Sequence, residues 1–178
     1  ATTFVFAVYT FTLLAALLYL GPLSDHVGRR PVVAAGSLAL ALSVAMFWFA
    51  GSLAALLVAR ALQGLAAGLL IPALSAMMID FEPPSHPNIA ALWNTIGPMI
   101  GLGTGALGAA LLLDLTPEPT AAVFGPLVLA FLTVAATVWS TPELAPKTQI
   151  RRGDLRPRFM VPLHLRRMFT AGVPAIIA

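Results

Sequence analysis

The residues of this chain that could do chemistry are few and bunched. The stretch Gly21–Pro31 reads GPLSDHVGRRP and holds Asp25, His26, Arg29 and Arg30 between two charge-free runs. Asp25 and Arg29 stand four apart, a spacing that brings side chains to about 5–6 Å if the segment is helical. That is ion-pair chemistry, with no nucleophile beside it. A second group is Arg60, Gln63 and Gly64 in LLVARALQGLAAGLLIPA, where Arg60 is the one charge in a long apolar run. A charge inside a membrane span is costly and marks a functional position by default, although an arginine near a span end can also snorkel to headgroups. A third group lies in NTIGPMIGLGTGALG. Gly97, Gly101 and Gly105 share one helix face, which permits close backbone approach, and Pro98 removes a helical hydrogen bond. There is no cysteine, and His26, His86 and His164 lack metal-ligand spacing. No HExxH, P-loop or Gly-x-Ser-x-Gly pattern occurs. No cofactor or metal is expected.

The elements that must hold these residues are apolar spans. The chain is 59% hydrophobic and 10% charged, against about 25% charged in soluble domains. A bilayer core of roughly 30 Å needs about 20 apolar helical residues. Charge-poor runs of that order occupy 2–20, 31–50, 53–79, 89–113 and 121–140. Alternation of the kind that builds membrane β-barrels is missing. The expected class is an all-α integral membrane bundle of five full transmembrane helices, with the bilayer as its first partner. A basic segment, 141–167, follows as a linker, and 168–178 reads as the truncated start of a sixth span. The absence of an initial methionine and the short last run suggest a piece of a larger protein.

Orientation follows from charge. Loops 21–30, 80–88 and 141–167 fall on one side and carry Arg29, Arg30, Lys147 and six arginines between 151 and 167. Loops 51–52 and 114–120 carry no lysine or arginine. Basic residues mark the cytoplasmic side, so loops 21–30, 80–88 and 141–167 are expected there. The net charge of +3 is thereby accounted for without a nucleic-acid partner.

A helical hairpin turn obeying that rule would explain Arg29 and Arg30, but not the glycine and aspartate spacing. GPLSDHVGRRP resembles the signature between the second and third helices of the major facilitator superfamily, in Gly21, Leu23, Ser24, Asp25, Gly28, Arg29 and Arg30. His26 departs where a lysine or arginine is usual, and Val27 where an aromatic is usual. Arg60, Gln63, Gly64 and Gly68 are similar to that family's fourth-helix Arg-x-x-Gln-Gly pattern. Gly97, Pro98 and Gly101 resemble the fifth-helix Gly-Pro-x-x-Gly-Gly of its proton-coupled exporters, with Leu102 in place of the last glycine. STPE at Ser140–Glu143 resembles the Pro-Glu that closes helix six.

The resemblance implies an N-terminal half from helix two to helix six, with helix one and the second six-helix half as missing partners. It implies a plasma-membrane secondary transporter that exports a small molecule against protons by alternating access. Asp25, Arg29 and Asp80 would form a gate at the cytoplasmic end. Arg60, Gln63 and Gly64 would serve coupling or the substrate pathway, and Tyr9, Thr10, Thr12, Asn94 and Thr95 would line the cavity. The alternatives are a non-transporting membrane scaffold or an intramembrane enzyme. Against the enzyme, Arg60 is the one formally charged residue at bilayer depth.

Overall fold

A computed structural model of the chain describes residues 2–143. Six helices make it up: α1 (Thr2–Leu20), α2 (Leu23–Val27), α3 (Arg29–Trp48), α4 (Leu53–Asp80), α5 (Ile89–Leu115) and α6 (Pro119–Ser140). All but α2 are long and apolar enough to cross a membrane, and no strand occurs among the described residues. Most of the basic linker, and the whole of 168–178, lie outside the described residues.

The helix starts have local causes. Ser52 is extended, and its hydroxyl oxygen accepts from the Ala55 N–H at 3.2 Å to cap α4. Pro119 opens α6, where its missing N–H costs nothing. The helix α3 begins at Arg29, two residues before the expected Pro31, which then sits in the first turn among N–H groups that have no helical partner anyway. The expected turn 21–30 is partly helical, because α2 fills its middle. Pro72, Pro98 and Pro126 lie inside α4, α5 and α6, and each helix continues through its proline.

Helix α4 is the centre of the packing. It carries α1 on one side and α3 on another; α3 carries α6, and α6 carries α5. The buried apolar residues are mostly alanines with a few valines, and the buried polar ones are Ser24, Ser37 and Ser43. Small side chains suit a membrane protein. Lipid tails are as apolar as leucine, so helices associate through close packing and hydrogen bonds. A Cβ on Gly64 would collide with Thr12 Oγ1 and the Tyr9 carbonyl, and one on Gly68 with the Ala16 Cβ. These glycines set the approach of α1 to α4. Across the other face, the Ser43 hydroxyl donates to the Ala59 carbonyl at 3.0 Å.

Helix α5 is different. Ala90 is its one residue buried among the described residues. Nothing described lies within 4 Å of a Cβ built on Gly97, Gly101, Gly103, Gly105 or Gly108.

This asymmetry gives a direct test. In detergent micelles, Gly64→Val should destabilise the chain by about 1–3 kcal/mol, the usual cost of overpacking. Gly105→Ala should cause no loss and can stabilise by roughly 0.5–1 kcal/mol, since the added Cβ meets nothing and alanine favours the helix. Equal losses in an unfolding titration would contradict the α1–α4 packing.

Candidate functional site: a charged cluster at one end of the bundle

The charged stretch folds around Gly28. Helix α2 ends there, where the Gly28 N–H donates to the Ser24 carbonyl at 3.1 Å. The backbone takes φ +108°, a conformation that side chains disfavour. Helix α3 starts at the next residue. Asp25 and Arg29 therefore do not share one continuous helix, as their spacing had suggested. The break at Gly28 turns the chain and still leaves Arg29 Nη2 3.9 Å from Asp25 Oδ1.

Arg29 makes its main contacts elsewhere. Its Nη1 is ion-paired with Asp80 Oδ2 and donates to the Ala76 carbonyl, both in the last turn of α4. A cation at a helix C-terminus also meets the negative end of the helix dipole. Exposure ranks the two acids: the Asp80 side chain is 24% exposed and that of Asp25 62%. Arg29 Nε is buried without a partner among the described residues.

The first turn of α3 holds two arginines and no acid, which its dipole alone would disfavour. Glu143, just past the end of α6, corrects this. Its carboxylate accepts from the Arg29 N–H at 3.2 Å and from the Arg30 N–H at 3.0 Å. A Cβ on Gly28 would stand 2.7 Å from Glu143 Oε2. Position 28 thus needs glycine for its backbone, and a Cβ there would also displace this carboxylate. No local pattern pairs Glu143 with Arg29, 114 positions away; the one available signal is the Pro-Glu at the end of the span. Arg30 turns away, with its guanidinium 5.0 Å from the Trp139 ring centroid.

Arg60 forms a separate site. Its guanidinium lies between Phe6 of α1 and Phe47 of α3, 5.4 Å and 4.8 Å from the two ring centroids. Its Nη1 donates to Gln63 Oε1 at 2.9 Å, and its Nε is buried without a described partner. Aromatic faces hold a cation where water is scarce. Nothing in the sequence pattern pointed to Phe6 or Phe47.

The structure brings some of the remaining candidates into contact and leaves others apart. Thr12 packs on Gly64 and donates to the Val8 and Tyr9 carbonyls, at 2.9 Å and 3.0 Å. Tyr9 offers its carbonyl to that same contact. Asn94 accepts from the Ser75 hydroxyl at 3.0 Å, linking α5 to α4. Thr10 and Thr95 are exposed and bond only to their own helices. Gly21 leads into α2, and Gly97, Pro98 and Gly101 lie on the uncovered α5.

Five apolar spans, packed through small residues and tied at one end by an arginine–carboxylate cluster, define a multi-pass helical membrane protein. The profile of the Major Facilitator Superfamily matches residues 1–178, and the chain belongs to that family. It is 32% identical over 171 residues to the multidrug efflux pump LfrA of Mycolicibacterium smegmatis, covering 78% of this chain and 33% of that protein. It is 51% identical over 45 residues to the multidrug resistance protein MdtM of Escherichia coli strain K12, covering 25% of this chain and 11% of that protein. A tetracenomycin C resistance and export protein of Streptomyces glaucescens is 34% identical over 102 residues, covering 52% and 19%. These matches span at most a third of the relatives' length. No solved structure matches the chain.

The unequal exposure of the two acids leads to an unequal energetic coupling. Double-mutant cycles on Arg29→Gln with Asp80→Asn should give about 1–3 kcal/mol, as expected of a partly buried pair in one network. The cycle with Asp25→Asn should give less than about 1 kcal/mol, as for exposed pairs. A larger coupling to Asp25 than to Asp80 would contradict the geometry.

Proposed function

We propose that the chain is the N-terminal half, less its first helix, of a plasma-membrane exporter of small molecules, driven by protons through alternating access. The observation that carries this reading is the Arg29–Asp80 contact, with Glu143 bound to the start of α3. It joins α3, α4 and α6 into one body at the end where the basic loops lie. Family membership and the drug-export names of the relatives support export, as does Gly97-Pro98-x-x-Gly101 on α5. The basic residues beside that end support a cytoplasmic position for it.

In this mechanism the two halves of the transporter rock against each other, and the cluster has two parts. Arg29 and Asp80 are the fixed base. Asp25 is the moving contact: it is held loosely by Arg29 and is mostly exposed, so it is available to the second half. Closing the cytoplasmic end brings Asp25 against that half and favours the outward-open state. About 1.4 kcal/mol shifts such an equilibrium tenfold, so one partly exposed carboxylate suffices. The described acids, Asp25, Asp80, Glu82, Asp114, Glu118 and Glu143, sit at helix ends or in loops. The proton-carrying acid therefore belongs to helix one or the second half. Arg60, whose buried Nε–H has no partner among the described residues, is the partner we assign to that acid. Family membership supports a transporter rather than an enzyme.

The test uses the full-length transporter in proteoliposomes, a proton gradient and a panel of unrelated lipophilic dyes. Gradient-driven dye transport is the expected result. Asp25→Asn should lower it by about tenfold, the shift that ~1.4 kcal/mol makes, with unchanged thermal unfolding. Dye flux that ignores the gradient, or full flux in Asp25→Asn, would defeat the proposal.

A further inference from the structure

A groove runs between α3 and α6, apart from the charged cluster and from Arg60. Its volume is about 480 Å³. Ala34 and Ala135, both buried, form its floor, and Pro31, Leu38, Leu132 and Trp139 rise along its sides. The α3 positions 31, 34, 35 and 38 follow the one-face helical spacing. This face differs from the one that meets α4, where Gly36 approaches Leu70 and the Ser43 hydroxyl reaches the Ala59 carbonyl. The groove therefore opens away from the centre of the bundle. Leu38, Leu132 and Trp139 are exposed along it.

One end of the groove is charged. Arg30 lies over the Trp139 ring there, 5.0 Å from its centroid. The neighbouring charges are already engaged. Arg29 pairs with Asp25 and Asp80, and the Glu143 carboxylate accepts from two backbone N–H groups. Among the described residues, Arg30 makes no ion pair. Tryptophan and arginine at a span end belong at headgroup depth. A basic site at the mouth of a cleft between transmembrane helices is suited to an anionic lipid headgroup.

We propose that this groove is a binding site for an anionic phospholipid, with one acyl chain between α3 and α6 and the phosphate at Arg30. The four alanines at 34, 35, 135 and 136 make room for the chain, and the sides hold it by apolar contact. Arg30 supplies the preference for a net negative headgroup, because the cation of a zwitterionic lipid offsets its own phosphate. Arg30 then does more than orient the loop, and its stacking on Trp139 fixes the guanidinium at the groove mouth. The leaflet rests on the orientation proposed above; the site itself does not.

The experiment is tryptophan quenching in proteoliposomes of the full-length protein. The quencher is either phosphatidylglycerol or phosphatidylcholine with brominated acyl chains, at low mole fraction in unlabelled phosphatidylcholine and present in both leaflets. An inverted orientation would then leave the signal intact. The readout is the component that disappears in Trp139→Phe. Brominated phosphatidylglycerol should quench it with about fivefold higher apparent affinity than brominated phosphatidylcholine, the preference one basic residue near the surface provides. Arg30→Gln should bring the ratio close to one, while quenching by phosphatidylcholine persists. Ala35→Leu with Ala136→Leu, at the exposed rim, should weaken quenching by both lipids with the helical circular dichroism unchanged. Equal quenching by the two lipids in the wild-type protein, meaning bulk lipid only, would overturn the proposal. So would the absence of any Trp139-dependent quenching, meaning that protein covers the groove.

Discussion

One guanidinium ties the charged end of this molecule together. Arg29 begins α3, pairs with Asp80 and the Ala76 carbonyl at the end of α4, and lies near Asp25 of α2. Its own N–H is held by Glu143 beyond α6. Each contact answers a problem that the others create. A partly buried arginine must be paired, because an uncompensated charge there is costly. The pairing draws two arginines to the start of α3, against its dipole, and Glu143 offsets that. Glu143 sits where a Cβ on residue 28 would push its carboxylate aside. Lysine at 29 could not span Asp80, Ala76 and Asp25 with a planar fork. The cluster is one unit, and its members should lose function together.

The rest of the packing follows from the solvent. Lipid gives no hydrophobic gain when two leucines meet, so α1, α3 and α4 associate through glycine, alanine and serine. Their large side chains, such as Phe4, Phe11, Leu42 and Leu74, face outward. Helix α5 inverts the pattern: its glycines make no close contact, and Gly105 and Gly108 line an open cleft toward α6.

Much of the fold was legible because span length and missing charge are set by the bilayer, and five runs met both conditions. The Asp25–Arg29 spacing was legible as a pair, yet its geometry was not. The Gly28 conformation interrupts the helix between the two residues, and spacing alone assumes that none intervenes. Glu143 was hidden for a different reason. It joins two segments separated by four helices, and no local pattern encodes such a contact. The aromatic faces around Arg60 come from α1 and α3, so the α4 pattern could flag the charge but not its surroundings. Gly64 and Gly97 look equivalent in sequence, each in a row of small residues. Only the arrangement of helices shows that one is packed and the other bare.

The proposed mechanism stands on Asp25 as the mobile contact of a fixed Arg29–Asp80 base. Its most direct measurement is the access of a thiol reagent from outside the cell. This chain has no cysteine, so in a full-length protein cleared of any cysteine elsewhere, a single cysteine at position 10, a proposed cavity position, can report on it. If Asp25 favours the outward-open state, Asp25→Asn should slow labelling by an impermeant reagent from the outer side severalfold, with folding unchanged. Equal labelling rates with and without Asp25 would contradict the mechanism and reduce the cluster to a static brace.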